Sequence, residues 1–377
     1  MLKLSRFLLA LTFVLVVGTF SESAYSEQGK DKDGPKKGLV FKESWKEDLK
    51  GIYLATSTGD VLVHTEQWVR FYDVNGKLVW KKDDLNFVTG GGVSREGDLI
   101  IYQSSPVPKT GQLTTLDLTV HILNHQGDEV LSKPNPYRYF NTLLSPKGTY
   151  IVFGEATAKK IYVYDKNLNP LWERETYLWY IGFDPDERFI FDSVSGMLLN
   201  TDGRRVWELP AGQKFLGISS GAEVVLSQPF LTIGSGRNKL YLTNRVSLEQ
   251  VILDGYCAGV SYDGSLIAYQ GLDRKVLVYR TRELFEKEKG RGEANPVWSL
   301  DINLAKLLQF SRDAQSLFIY GETSQKYGKA IFIDLNSGKK LWDKEWFSPL
   351  LRYVLSEDNR FFLAQTDSRS IEYYCLK

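Results

Sequence analysis

The sequence predicts an all-β fold, an eight-bladed β-propeller with seven blades as the fallback. Two observations predict it. A short polar turn followed by an apolar strand recurs eight times, starting at Thr56, Ser94, Ser145, Asp184, Ser219, Ser261, Ser311 and Ser356. A spacing of roughly 35–50 residues with several short strands per repeat is the signature of propeller blades. The two ends are also complementary: the last repeat lacks an outer strand, and an unpaired strand stands at the start.

Each repeat reads as four strands, a to d, from the centre of the ring outward. Strand a precedes the polar turn and strand b follows it, as in SREGDLII, SPKGTYIV and SYDGSLIA. Strand c is WVRFYD, LTVHILN, KIYVYD, KLYLTN, KVLVYR or KAIFID, all alternating as half-buried strands do. Strand d is expected to end in an aliphatic–Trp pair: Val79–Trp80, Leu171–Trp172, Val206–Trp207, Val297–Trp298 and Leu341–Trp342. A ring that large, on the outer part of a blade, suits the seam against a neighbour.

The c-to-d turns read DVNG from Asp73, NHQG from Asn124 and DLNSG from Asp334. A short Asx side chain accepts backbone N–H groups two residues on, and Gly accepts the positive φ that closes the hairpin. Repetition at turn positions gives these carboxylates a structural role.

The last repeat supplies LLRYVLS, RFFLAQT and SIEYYCLK as strands a, b and c. Near the start, GLVFKESWKED (Gly38 to Asp48) has a strand-d pattern with Trp45 as its aromatic. Pairing this strand with the last blade closes the ring and removes an exposed sheet edge. Residues 27–37 are charged and turn-rich, a flexible lead, and 38–377 form a single propeller domain.

Residues 1–26 read as a cleaved signal peptide. Lys3 and Arg6 precede an apolar run from Phe7 to Val17, and Ala24 and Ser26 supply small residues for cleavage after Ser26. The run is shorter than the about 20 residues that span a bilayer. The expectation is a periplasmic or secreted monomer with no stable membrane insertion after cleavage.

Loss of Lys3, Arg6 and Glu22 with the leader leaves basic and acidic residues in balance. Such a chain has no bulk field to gather nucleic acid. Cys257 and Cys375 fall two repeats apart and are expected to be free thiols. His64, His121 and His125 are the three histidines, with no GxSxG turn, HExxH or paired CxxC. His121 and His125 are expected on a solvated surface. DKDG at Asp31 to Gly34 matches only the start of a calcium loop. No catalytic residue, metal ligand or cofactor is assigned.

FYDVNGKLVW, VYDKNLNPLW and FIDLNSGKKLW resemble the repeats of quinoprotein-like (PQQ-like) propellers and, more loosely, WD-repeat propellers. The likeness covers nearly the whole mature chain. Unit five departs from it with QVIL in place of a Trp, and the Gly–His and Trp–Asp dipeptides of WD repeats are absent. The resemblance implies a scaffold in bacterial envelope assembly, although the lipid anchor usual there is missing.

Binding is expected on the face built from d-to-a and b-to-c connections. PNPYRYF, TYLWY and WFSPLLRY are aromatic-rich d-to-a segments, and Tyr, Trp and Arg are enriched at binding hot spots. The candidate contacts are Tyr137, Arg138, Tyr177, Trp179, Trp346 and Arg352. Loops Ser104 to Thr115 and Ser227 to Asn238 project over the same face, and Thr281 to Pro296 decorates the other. The chain therefore reads as an exported, non-catalytic platform for protein partners. The alternatives are a quinone- or metal-dependent oxidoreductase or glycan lyase working in the central funnel, or a carbohydrate-binding lectin.

Overall fold

Repeated strands of alternating burial give repeated antiparallel sheets. A computed structural model describes residues 39–105, 118–135, 141–155, 159–193, 195–229, 239–323, 325 and 327–376, backbone alone at 141, 155 and 179. The expected leader and flexible lead lie outside the described residues. Each sequence unit folds as a meander of four strands in chain order, for example Gly51–Leu54, Val61–His64, Val69–Tyr72 and Leu78–Lys82. Units five and six share one long strand, Gln250–Val260, and so form a seven-stranded sheet. The last sheet takes its outer strand from the start of the chain, because Leu39–Ser44 pairs antiparallel with Ser370–Cys375.

Serine recurs at the a-to-b turns for a hydrogen-bonding reason. The hydroxyls of Ser94, Ser145, Ser219, Ser261, Ser311 and Ser356 each accept the N–H five residues on, and Asp184 accepts the same bond through Oδ1. The fourth turn residue is left-handed: Gly97, Gly148 and Gly264 fill it without strain, and Glu187, Ala222, Ala314 and Asn359 accept it. Unit one differs by one residue. Its turn starts from Ala55, whose N–H bonds Asp60 as that of Ser94 bonds Leu99, so the sequence phase at Thr56 is shifted by one.

The aliphatic–Trp pair begins strand d instead of ending it. Phe71 pairs with Trp80 and Tyr72 with Leu78, which leaves Val79 as a bulge. Leu171, Val206 and Leu341 are skipped in the same way. The bulged aliphatics stay partly exposed on the edge strand, while the following Trp turns toward the seam.

There the rings interlock with turn glycines of the next sheet. An added Cβ would meet the ring of Trp80 at Gly127 and that of Trp172 at Gly203. Trp80 Nε1 donates to His125 O at 3.1 Å, and Trp172 Nε1 to Thr201 O at 2.9 Å. In the strand Leu39–Ser44 the equivalent ring is Phe41, which lies over Gly76; Trp45 falls beyond the strand and packs against Trp68. The sequence reading of Trp45 as the strand-d aromatic is corrected accordingly.

Hydrophobic clusters fill successive seams. One joins Val61, Val63 and Tyr72 of unit one to Leu363, Ile371 and Tyr373 of unit eight. Another joins Phe318, Phe332 and Trp342 to Phe362 and Tyr374. A buried polar residue near the end of strand b then fixes several d-to-a connections. Gln270 Nε2 donates to Ile302 O and its Oε1 accepts Ala305 N, both at 2.8 Å, and Tyr320 Oη accepts Leu350 N at 2.8 Å.

Candidate functional site

An antiparallel meander places a-to-b and c-to-d turns at one end of each sheet, and b-to-c and d-to-a connections at the other. At the first end the residues after the turn serines converge. Arg95 N donates to Pro146 O at 2.6 Å, Ser220 N to Tyr262 O at 2.7 Å, Arg312 N to Glu357 O at 2.7 Å and Glu357 N to Thr56 O at 3.1 Å. Pro146 and Pro185 lack an N–H, and beside them side chains take over. Glu187 accepts Lys147 N, and Asp184 Oδ2 accepts Gly221 N at 3.3 Å.

A second set of bonds adds side chains to this end, and those of Arg95 link units that are not neighbours. Buried Arg95 of unit two donates from Nε to Glu357 Oε1 of unit eight at 2.7 Å, and from Nη2 to Pro185 O of unit four at 2.6 Å. Arg312 reaches Glu357 Oε2 at 3.5 Å and Tyr262 Oη at 3.0 Å, and Tyr262 donates to Asp186 Oδ1 at 2.6 Å. Hydrogen bonds from Ser220 and Tyr262 outweigh burial and hold the Asp186 carboxyl far below the usual carboxylate range, aided by Arg188 and Lys147. Beside this clamp lies a cavity of about 250 Å³. Its walls are mainly Leu54, Val93, Leu143, Leu144, Ile181 and Phe183, with Arg95 and Glu357 as its charged lining.

At the other end, the connection after Lys340–Trp346 carries the most exposed aromatic among the described residues. Phe347 is 92 % exposed, set edge-on to Tyr327 with centroids 5.8 Å apart, and Leu351 is 59 % exposed. Arg352, a sequence candidate, is exposed beside them, and its guanidinium donates to Lys50 O.

Trp346 does not join this surface. It is 8 % exposed, packs in the cluster with Phe362 and Tyr374, and donates from Nε1 to Glu372 Oε2 at 2.9 Å. Its assignment as a contact is corrected: alternation from Trp342 turns it inward, and the strand ends before Phe347. Tyr177 is half-buried, edge-on to Tyr180 at 6.0 Å, with Lys159 Nζ 5.7 Å from its ring. Trp179 lies in the 3-10 turn Leu178–Tyr180, and its side chain is outside the described residues. Tyr137, Arg138 and most of the two long b-to-c loops are also outside them.

The histidines are engaged and not simply solvated. His121 stacks on Tyr102 and pairs with Glu129 at 2.7 Å, and His125 lies 3.3 Å from Asp60. His64 is 1 % exposed; its Nδ1 bonds Thr65 O at 3.0 Å, and its Nε2 has no partner among the described residues. Burial pushes the Cys257 thiol up to about 12, so it is no ready nucleophile. Among the described residues no group of His, Cys, Asp and Glu is arranged to hold a metal ion. No helix among them is long and apolar enough to cross a membrane.

No protein-family model matches the chain, and no curated protein matches its sequence. Its fold is similar to that of solved β-propellers, a WD40 domain among them. The C-terminal WD40 domain of Sif2 matches with a TM-score of 0.57 at 10 % identity, over 91 % of this chain and 99 % of that one. Sqt1 of Chaetomium thermophilum matches with 0.55 at 12 % identity, over 90 % and 98 %. A dihydro-heme d1 dehydrogenase, NirN, matches with 0.51 at 14 % identity, over 80 % and 67 %. At such identities the likeness concerns the fold alone.

Proposed function

We propose that this chain is an exported, eight-bladed propeller, closed by its N-terminal strand, that acts as a non-catalytic scaffold for a protein partner at the cell envelope. The observation that carries the reading is the apolar knob of Phe347 and Leu351 beside Arg352, on the face of d-to-a connections. Such a knob is costly to leave in water, and aromatic and Arg side chains dominate protein interfaces. The leader sequence supports export, and the Leu39–Ser44 pairing with Ser370–Cys375 supports closure.

A photo-cross-linking residue in place of Phe347, introduced in the native host, tests the reading. A discrete protein adduct, absent when the same residue replaces Val246 on the opposite end, is expected. Val246 is itself 72 % exposed and apolar, so it controls for stickiness. Identical adducts from both positions, or none from 347, would contradict the reading.

A further inference from the structure

We propose that a slot at the outer seam between units six and seven binds an N-acetylhexosamine unit of a glycan. At two other seams the strand-d Trp closes the gap. Trp80 and Trp172 each lie over a turn glycine, with an added Cβ 2.6 and 2.7 Å from the ring, and each donates its indole N–H to a backbone carbonyl. Trp298 does neither. The c-to-d turn of unit seven is one residue longer, Asp334 to Gly338 against Asn124 to Gly127 and Asn200 to Gly203. There the ring approaches Gly338 only by its pyrrole edge, with Cδ1 3.6 Å and Nε1 3.7 Å from an added Cβ. Its Nε1 makes no hydrogen bond among the described residues and is not buried. The seam is left with a cavity of about 370 Å³, between Trp298 and Leu300 on one wall and Ile331 and Ile333 on the other.

The lining selects for an uncharged, amphipathic ligand. Lys329 and Lys340 balance Asp301 and Glu322, and three of the four are paired further, Lys329 with Glu345, Lys340 with Asp343 and Glu322 with Lys306. Hydrogen-bonding capacity remains where net charge does not. Asn303 Oδ1 accepts Arg274 Nη1 at 2.8 Å, which leaves its amide N–H groups to donate. Thr323 Oγ1 accepts Tyr327 N at 3.1 Å, which leaves its hydroxyl proton. Such pockets hold a ligand by apolar contact and orient it through a few polar groups. A sugar ring offers a C–H face to Trp298 and hydroxyls to Asn303, Thr323 and Asp301. A plain hexose has few apolar groups beyond that face, whereas this cavity is apolar on both walls. An acetamido arm adds a methyl group for Ile331 and Ile333 and a carbonyl acceptor for the donors.

Isothermal titration of the purified mature protein with N,N′-diacetylchitobiose, and with cellobiose as the same pair of rings lacking acetamido arms, tests this. Saturable binding of the first is expected, with cellobiose about tenfold weaker or more. Trp298→Ala removes one wall and should abolish binding. Asn303→Ala serves if that variant does not fold, because Asn303 is half-buried and its partner Arg274 is exposed. It should weaken binding about tenfold. Absence of saturable binding by diacetylchitobiose, equal binding of cellobiose, or unchanged affinity in either folded variant would overturn the proposal.

Discussion

Lys42 and Glu372 face each other across the first and last described strands, with Nζ 3.0 Å from Oε1. Glu372 is buried, and its other oxygen accepts the Trp346 indole and the Tyr374 hydroxyl. Burial alone would raise its pKa, but the bonds from Tyr374, Trp346 and Lys42 prevail and lower it. Glu372→Leu strands two buried donors and should cost about 2–4 kcal/mol in urea unfolding. Lys42→Met removes only a half-exposed cation and should cost about 0–1 kcal/mol. Equal losses in the two variants would contradict this asymmetry.

Trp172→Ala should lose about 3–5 kcal/mol, as large buried aromatic truncations do. The ring covers Gly203 of the next sheet and donates to Thr201 O. Gly203→Ala should also destabilise, because its φ of 77° and the Trp172 ring both exclude a Cβ. A loss below about 1 kcal/mol for Trp172→Ala would mean that the ring does not bind the seam.

His64 predicts an acid-side loss of stability that begins above the carboxylate range. Burial lowers its pKa from 6.5 to about 4 against the Thr65 bond that would raise it, with Arg352 and Lys50 adding to the lowering. Between those values the unfolded chain holds a proton that the folded chain does not. Stability therefore falls as pH falls from about 6.5 toward 4, by at most about 1.4 kcal/mol per unit, and is flat above. His64→Gln should flatten this window; Gln103, Gln270 and Gln365 already stand near the ends of strand b in other units. A slope unchanged in the variant would assign it elsewhere.

Phe347→Asp and Trp346→Ala should separate binding from folding. The first changes a fully solvated ring and should leave stability within about 0.5 kcal/mol while abolishing partner capture. The second opens a buried seam and should cost about 3–5 kcal/mol. Reversed effects would place the contact surface elsewhere.

The sheet-level fold was legible because two periodicities are written redundantly. Ser94 and its equivalents, with Asp184 among them, mark the a-to-b turns of units two to eight, and Asp73, Asn124 and Asp334 mark c-to-d turns through the N–H groups they accept. Boundaries were less legible. The bulge at Val79 shifts the register by one, so the aliphatic–Trp pair looked like a strand end. Phe41 was missed as the seam ring because Trp45 is larger and only four residues away. The clamp was not legible: the residue after the turn serine is Arg95, Tyr262, Arg312 or Glu357 in different units, and the partners of each lie far away in sequence. Phe347 was missed for its neighbour, although the alternation from Trp342 already points Trp346 inward.

Hydrogen exchange of the segment Ser370–Cys375, in the mature chain and in a variant lacking residues 38–48, tests the proposed closure most directly. The account predicts slow exchange in the mature chain and a marked rise in that segment, with a lower thermal midpoint, once its partner strand is gone. Equal uptake and an equal midpoint in the two proteins would contradict it.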